Sequence, residues 1–332
     1  MTKKLVEGYF VITTDELIFE VKGIIHPRNR IIAYLRYAPA TNERHHSNID
    51  YRKIYALDER EDFLRNRYPS YLWFSETHGR IMQSVPKDKI KSVYNPVEYL
   101  ASLRTQTETA TKLGRASVKL SEKLVEVTDI DWSDIGITGS QLVGTEREDS
   151  DIDLVVYGFE ACRRFYSELA KNIKSIKGVE RYSGFLLDEH VNFRWGKHND
   201  LRNTLKEIER KKVLQGLFEG YHFFVRLVRN PNDLDFAYGD VSFQEKGQRL
   251  VSGKIVNDSE SIFTPCEYVV ECVNPINLRK LVSYRGRFTE QVSNGMDFEA
   301  KGRLETVIDH KKNLQYFQLV LGESPTDYLI PK

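Results

Sequence analysis

The chain has 332 residues, with 29% charged and 40% hydrophobic side chains, a balance that excludes wholesale disorder and leaves enough apolar material for two or three cores. Its 49 Lys/Arg against 48 Asp/Glu exclude the strongly basic class of nucleic-acid binder, so any nucleic-acid surface must be a local patch. The first 100 residues hold 16 basic against 13 acidic groups, and residues 242–332 hold 12 of each. Glu7, Asp15 and Glu16 interrupt the first apolar stretch, no segment is long enough to span a bilayer, and Cys162, Cys266 and Cys272 form no CxxC pair. These features predict a cytoplasmic protein with no membrane partner, although a Cys266–Cys272 bridge is open on spacing.

In chain order, residues 8–13, 17–25 and 30–37 read as strands, because Val, Ile, Phe and Tyr crowd between turn signals at Thr14-Asp15-Glu16 and His26-Pro27-Arg28-Asn29. A β-meander or partial barrel is expected there. Residues 41–96 show no long helical period and three prolines, and stay unassigned. From Val97, the spacing of Leu100, Leu103, Ala110, Leu113, Val118, Leu120 and Leu124 predicts a helix with an interruption at Gly114.

A strand over 135–138, the polar link Gly139-Ser140 and a strand over 152–157 follow. Helices are expected over 159–171 and 201–212, and a hairpin over 213–229 turning at Glu219-Gly220. The last part carries β signals at 250–256, 268–273, 281–285, 299–307 and 314–321, five short strands that suggest a small β-barrel. Three domains are expected: a β-rich unit over 1–96, a central unit over 97–240 and the barrel over 241–332.

The string GITGSQLVGTEREDSDIDLVVYG, residues 136–158, carries the chemistry. Gly139 stands where a strand yields to a turn, and its missing Cβ lets backbone N–H groups approach phosphate oxygens. Ser140 adds a hydroxyl donor. Asp151 and Asp153 flank Ile152, and strand alternation puts both carboxylates on one face. Two such carboxylates repel unless a cation satisfies them, which makes them ligands for a hard metal, magnesium first and manganese second. A lone DxD or Gly-Ser says little, but at this spacing between two apolar strands they reinforce each other.

This string resembles the Gly-Ser, then Asp-hydrophobic-Asp signature of the DNA polymerase beta-like nucleotidyltransferase superfamily. The order of flanking segments is similar to archaeal predicted nucleotidyltransferases. The resemblance implies an α+β fold with a mixed-sheet core, Gly139 and Ser140 as nucleotide-binding residues, and Asp151 and Asp153 as catalytic, metal-binding residues. It further implies magnesium-dependent transfer of a nucleoside monophosphate from a nucleoside triphosphate, with release of pyrophosphate. The acceptor stays open, RNA being the first to test.

The superfamily supplies a third carboxylate from a later strand, yet the strand expected over 221–229 contains none. His222 lies on it, Glu219 at its turn, and Asp233 and Asp235 beyond it. The gap keeps a second class open, a catalytically silent nucleotide-binding scaffold, and a third, an RNA-binding protein.

Two further groups invite phosphate or base binding. Arg210, Lys211, Lys212, Arg226 and Arg229 match phosphate oxygens, against the alternative of a charged hairpin edge. Tyr51, Tyr55, Tyr68, Tyr71, Trp73 and Phe74 alternate with Arg52, Lys53, Arg65 and Arg67 as stacking residues would, against the alternative of core and rim. His45-His46 is expected in an exposed loop, and no zinc spacing occurs.

Overall fold

A computed structural model describes residues 4–40, 50–54 and 56–332. Tyr55, His45 and His46 therefore lie outside the described residues. Three sheets follow one another along the chain. The first contains β1 (Phe10–Thr13), β2 (Ile18–Val21), β3 (Arg30–Pro39), β4 (Tyr51–Lys53), β5 (Leu72–Ser75), β6 (Arg80–Pro86) and β7 (Ile90–Tyr94). Its order is β5-β6-β3-β2-β1-β7, with β4 added on β3.

Strand alternation gives this sheet two uses. Val11, Phe19 and Leu35 make the sheet's own core with Leu64 and Tyr71, while Phe10, Ile18 and Tyr37 point the other way and pack on Leu142 of the central unit.

The unassigned stretch contains a helix, α1 (Leu57–Arg67), which corrects the absence of helical period there. Only Arg60 and Leu64 of α1 are buried, so the sequence LDEREDFLRNR has no apolar stripe to read. Its Asp58 and Glu59 in the first turn and Arg65 and Arg67 in the last match the helix dipole instead. Tyr71 is fully buried, 5.1 Å between ring centres from Phe19, and so serves packing, whereas Phe74 is exposed.

The helix expected from Val97 is two helices, α2 (Pro96–Thr105) and α3 (Lys112–Thr128). The break falls at 106–111 and not at Gly114. Pro96 opens α2 behind the Asn95 cap, and the Thr111 hydroxyl accepts from Gly114 N at 3.0 Å to start α3. Gly114 thus sits in the first turn of α3.

The central sheet holds β8 (Ile135–Ile137), β9 (Ile152–Tyr157), β10 (Val179–Glu180), β11 (Gln215–Phe218) and β12 (Tyr221–Val228) in the order β10-β11-β12-β9-β8. The β9–β12 pair is parallel and the others antiparallel. Between the strands come α4 (Gly139–Leu142), α5 (Phe159–Asn172), α6 (Gly184–Trp195) and α7 (Arg202–Lys211). Ile152, Leu154 and Val156 face a layer made by α3 and α5, with Leu120, Leu124, Phe165 and Leu169 in the shared core. The opposite face carries Val155, Tyr157 and Val228 against Val6, so the first sheet covers the aspartate-bearing side.

The third sheet comprises β13 (Val241–Asn257), β14 (Cys266–Glu271), β15 (Leu278–Ser283), β16 (Asp297–Asp309), β17 (Leu314–Leu321) and β18 (Tyr328–Pro331). It has six strands where five were expected. The pairings run β13-β14-β15-β17-β16, and β13 also pairs β16. Its core takes in Leu187, Val191 and Trp195 of α6 and Leu205 and Ile208 of α7. Helix α6 was not foreseen, because its buried positions alternate with exposed Phe185 and Phe193 and leave no clean apolar face. All three cysteines are free, which overturns the Cys266–Cys272 bridge. Among the described residues no helix is long and apolar enough to cross a membrane.

Candidate active site

Strand β8 hands the chain to α4 through Thr138, whose N–H bonds the carbonyl of Asp153 at 2.9 Å. Gly139 follows at φ +71°, and a Cβ built on it would lie 2.2 Å from Asp153 Oδ2. Only glycine therefore permits this loop to touch the aspartate. Ser140, the second residue of α4, is half-buried, with its carbonyl accepting from Thr145 N at 3.0 Å.

We expect Gly139→Ala to cost about 1–2 kcal/mol for the left-handed backbone alone and to push Asp153 aside. Urea unfolding beside divalent-ion binding checks this. A variant of unchanged stability and unchanged metal affinity would contradict the contact.

Asp153 is the second residue of β9 and pairs with Phe224 of β12, while Asp151 lies just before the strand. The buried Ile152 and Leu154 fix the alternation, which leaves Asp153 on the face of Val155, toward the first sheet. Burial pushes the Asp153 carboxyl up to about 6, with Arg226 opposing and Asp151 and Glu20 adding to the rise. Asp151, just ahead of β9, is raised too by desolvation, against the pull of His222, Arg194 and Lys53. Both carboxyls thus hold a proton more readily than free aspartates do.

Behind Asp153 lies a charge network joining the first two sheets. Arg226 Nη1 donates to Glu7 Oε1 at 2.9 Å and to Glu20 Oε1 at 2.8 Å, and Lys22 reaches both carboxylates at 2.8 Å. Arg36 Nε lies 3.1 Å from Glu20 Oε2. Burial opposes ionisation of Glu20, yet Lys22, Arg36 and Arg226 hold it well below the usual carboxylate range.

Of the four candidates for a third donor, Glu219 and His222 lie at the start of β12, the end that parallel pairing sets beside Asp151, and of the two it is His222 whose charge acts on the Asp151 carboxyl. His222 precedes the first β12 residue paired with β9 as Asp151 precedes its partner on β9, and its Nδ1 is 2.7 Å from the Tyr182 hydroxyl. Glu219 turns away to pair with Lys119 of α3. Asp233 sits past the other end of β12, where its carboxylate accepts from Asn230 N and Phe159 N, and Asp235 lends its carbonyl to Lys311. Among the described residues no group of three or more His, Cys, Asp or Glu is arranged to hold a metal ion.

The basic group proposed from sequence is mostly engaged elsewhere. Arg226 serves Glu7 and Glu20, Arg229 pairs with Glu260, Arg210 with Glu207, and Lys212 is buried on Glu209. Glu209 accepts as well from Trp195 Nε1 at 2.9 Å and Gln215 Nε2 at 2.6 Å, and His190 Nε2 stands 3.1 Å away. Tyr182 stacks on His190 at 3.9 Å, which ties this buried hub to His222. Sequence reasoning passed over Arg194 and Tyr182, which belong to no motif and reach the site only through the placement of α6.

Residues 120–213 match the family described as nucleotidyltransferase domain, a span that contains Gly139, Ser140, Asp151 and Asp153. Over 326 residues the chain is 27% identical to Uncharacterized protein MJ1086 of Methanocaldococcus jannaschii, with 94% of each chain covered. No solved structure matches. The glycine turn pressed on an aspartate-bearing strand therefore lies inside the span that matches the nucleotidyltransferase domain family, with a β-rich sheet before it in the chain and another after it.

Proposed function

We propose that the protein transfers a nucleoside monophosphate from a nucleoside triphosphate to an acceptor hydroxyl, with a divalent cation on Asp151 and Asp153. The observation that carries this reading is the contact of Gly139 with Asp153, which brings phosphate-binding backbone and metal-binding carboxylate to one point. The donor set suits a hard cation, since magnesium is commonly held by one or two carboxylates with substrate phosphates and water filling the rest. That ion, when bound, neutralises charge on the reacting phosphate.

The chain's own groups do the positioning. The Gly139 turn admits phosphate oxygens to the backbone and Ser140 donates a hydroxyl hydrogen bond. The acceptor hydroxyl gives its proton to solvent as its oxygen forms a bond to the α-phosphorus, the bond from that phosphorus to its bridging oxygen breaks, and pyrophosphate leaves with the electron pair. Magnesium is the expected ion and manganese the substitute. RNA is the acceptor to test first, because the return of β13 onto β16 supports a small barrel, an architecture that in several folds binds oligonucleotides.

One observation favours a second reading. The β12 position beside Asp151 carries His222 and not a carboxylate, which suits a nucleotide-binding scaffold without transfer activity. Calorimetry with each nucleoside triphosphate addresses the binding step common to both readings. Affinity should require magnesium or manganese and vanish in excess chelator. Ser140→Ala should weaken it by roughly 1.5–3 kcal/mol at most, the worth of a hydrogen bond to a charged group. Equal affinity with and without the ion would overturn the metal-bridged site.

A further inference from the structure

Helix α6 carries Arg194 in its last turn, near enough to Asp151 for its charge to act on that carboxyl. The guanidinium carbon stands 5.6 Å from the centre of the Phe224 ring, and Phe224 is the residue paired with Asp153 across β9 and β12. Arg194 is close enough to Asp151 to pull its carboxyl down, yet among the described residues the two form no ion pair. Its Nη1 is buried and has no hydrogen-bond partner.

An unsatisfied buried donor is costly, more so when it carries charge, so each calls for an explanation, and a bound anion is one. The surrounding charges do not complete this one. Lys212 and Arg287 are cations of the same neighbourhood, and the nearby acid Glu209 is already bonded to Lys212 at 2.9 Å. Around the end of α6, Arg194, Lys212 and Arg287 thus outnumber the acid they share, Glu209.

The support of Arg194 is rigid. Its carbonyl accepts from Arg287 Nη1 at 3.2 Å, and the neighbouring Trp195 is buried and anchored on Glu209. A planar guanidinium held over an aromatic ring presents a fork that matches two phosphate oxygens.

We propose that Arg194 grips the terminal phosphates of the nucleotide, so that the site selects a triphosphate over a monophosphate. The inference rests on the nucleotide-binding reading above and adds to it the residue that measures the length of the phosphate chain. Asp151 and Asp153, with their cation, take the phosphates nearer the nucleoside, and Arg194 takes the far end from the α6 side.

The test uses the full chain with magnesium and three probes: inorganic tripolyphosphate, the four nucleoside triphosphates and the four nucleoside monophosphates. Arg194→Met should weaken tripolyphosphate and triphosphate binding about ten- to a hundredfold and leave monophosphate binding within about twofold. Arg194→Lys keeps the charge without the fork and should fall between. Thermal melting of both variants verifies the fold, and Arg194→Lys carries the test if the methionine variant melts early.

Triphosphate affinity unchanged in both variants, or an equal loss for mono- and triphosphates, would overturn the assignment of Arg194. Failure of the unsubstituted protein to bind any triphosphate would overturn the underlying nucleotide site instead, and the two failures are thereby distinct.

Discussion

Asp151→Asn is expected to lower nucleotidyl transfer by on the order of a thousandfold or more while the fold survives. Asparagine keeps the shape of aspartate and loses the charge that holds the cation against the phosphates. It also relieves the repulsion that helps raise Asp153, so melting temperature should hold or increase.

Asp153→Asn should show the same loss of transfer and a further signature in the metal-free protein. The folded Asp153 carboxyl is up at about 6, above its ordinary 3.8. A raised carboxyl gives its full relative contribution to stability below the unfolded value and loses it as pH rises through the folded value. In chelator, the unsubstituted protein should therefore lose at most about 3 kcal/mol from this group between roughly pH 4 and pH 6, less where water screens it. Asp153→Asn should lack that loss. Urea titrations at several pH values read the difference, and parallel profiles for the two proteins would contradict the crowded-carboxylate account.

Arg226→Ala has the largest effect expected on stability, about 3–5 kcal/mol, because it leaves buried carboxylates short of a partner. Glu7 and Glu20 are both nearly inaccessible, and after the substitution Lys22 and Arg36 alone would face them. The sign with pH differs from that of Asp153. Glu20 is held below its ordinary 4.5, so its contribution is present above that value and lost as pH falls. Removing Arg226 should flatten the acid limb of the stability profile. It should also push Asp153 higher, since Arg226 is the group that most opposes the rise. A loss under about 1 kcal/mol at pH 7 in urea unfolding would show that the network adds little to the joint between the first two sheets.

Much of the central unit was legible because its signals are local. Alternation over Ile152–Tyr157 gave that strand its bounds and its two faces, and Glu219-Gly220 marked the turn between β11 and β12. What escaped was set by tertiary contacts. Helix α1 buries little beyond Arg60 and Leu64, and the exposed Phe185 and Phe193 of α6 blur its period. The apolar stripe of α2 and α3 ran across a break that the Thr111 cap, a polar detail, decides.

The site divides in the same way. Gly139, Ser140, Asp151 and Asp153 lie within 15 residues and could be grouped by spacing alone. Arg194, Tyr182 and the Glu7–Glu20–Arg226 network come together only through chain separations of 40 to more than 200 residues. Residue type leaves Arg226 open between phosphate binding and a charged hairpin edge, and its buried carboxylate partners near the first sheet give it a structural role that neither alternative includes.

The most direct measurement incubates the pure protein with each α-labelled nucleoside triphosphate, magnesium or manganese, and a mixture of cellular RNA and protein. The account predicts label retained on a macromolecule, RNA first, with release of pyrophosphate, and no retention by Asp151→Asn. Triphosphate binding without any label transferred, or equal transfer by Asp151→Asn, would contradict it.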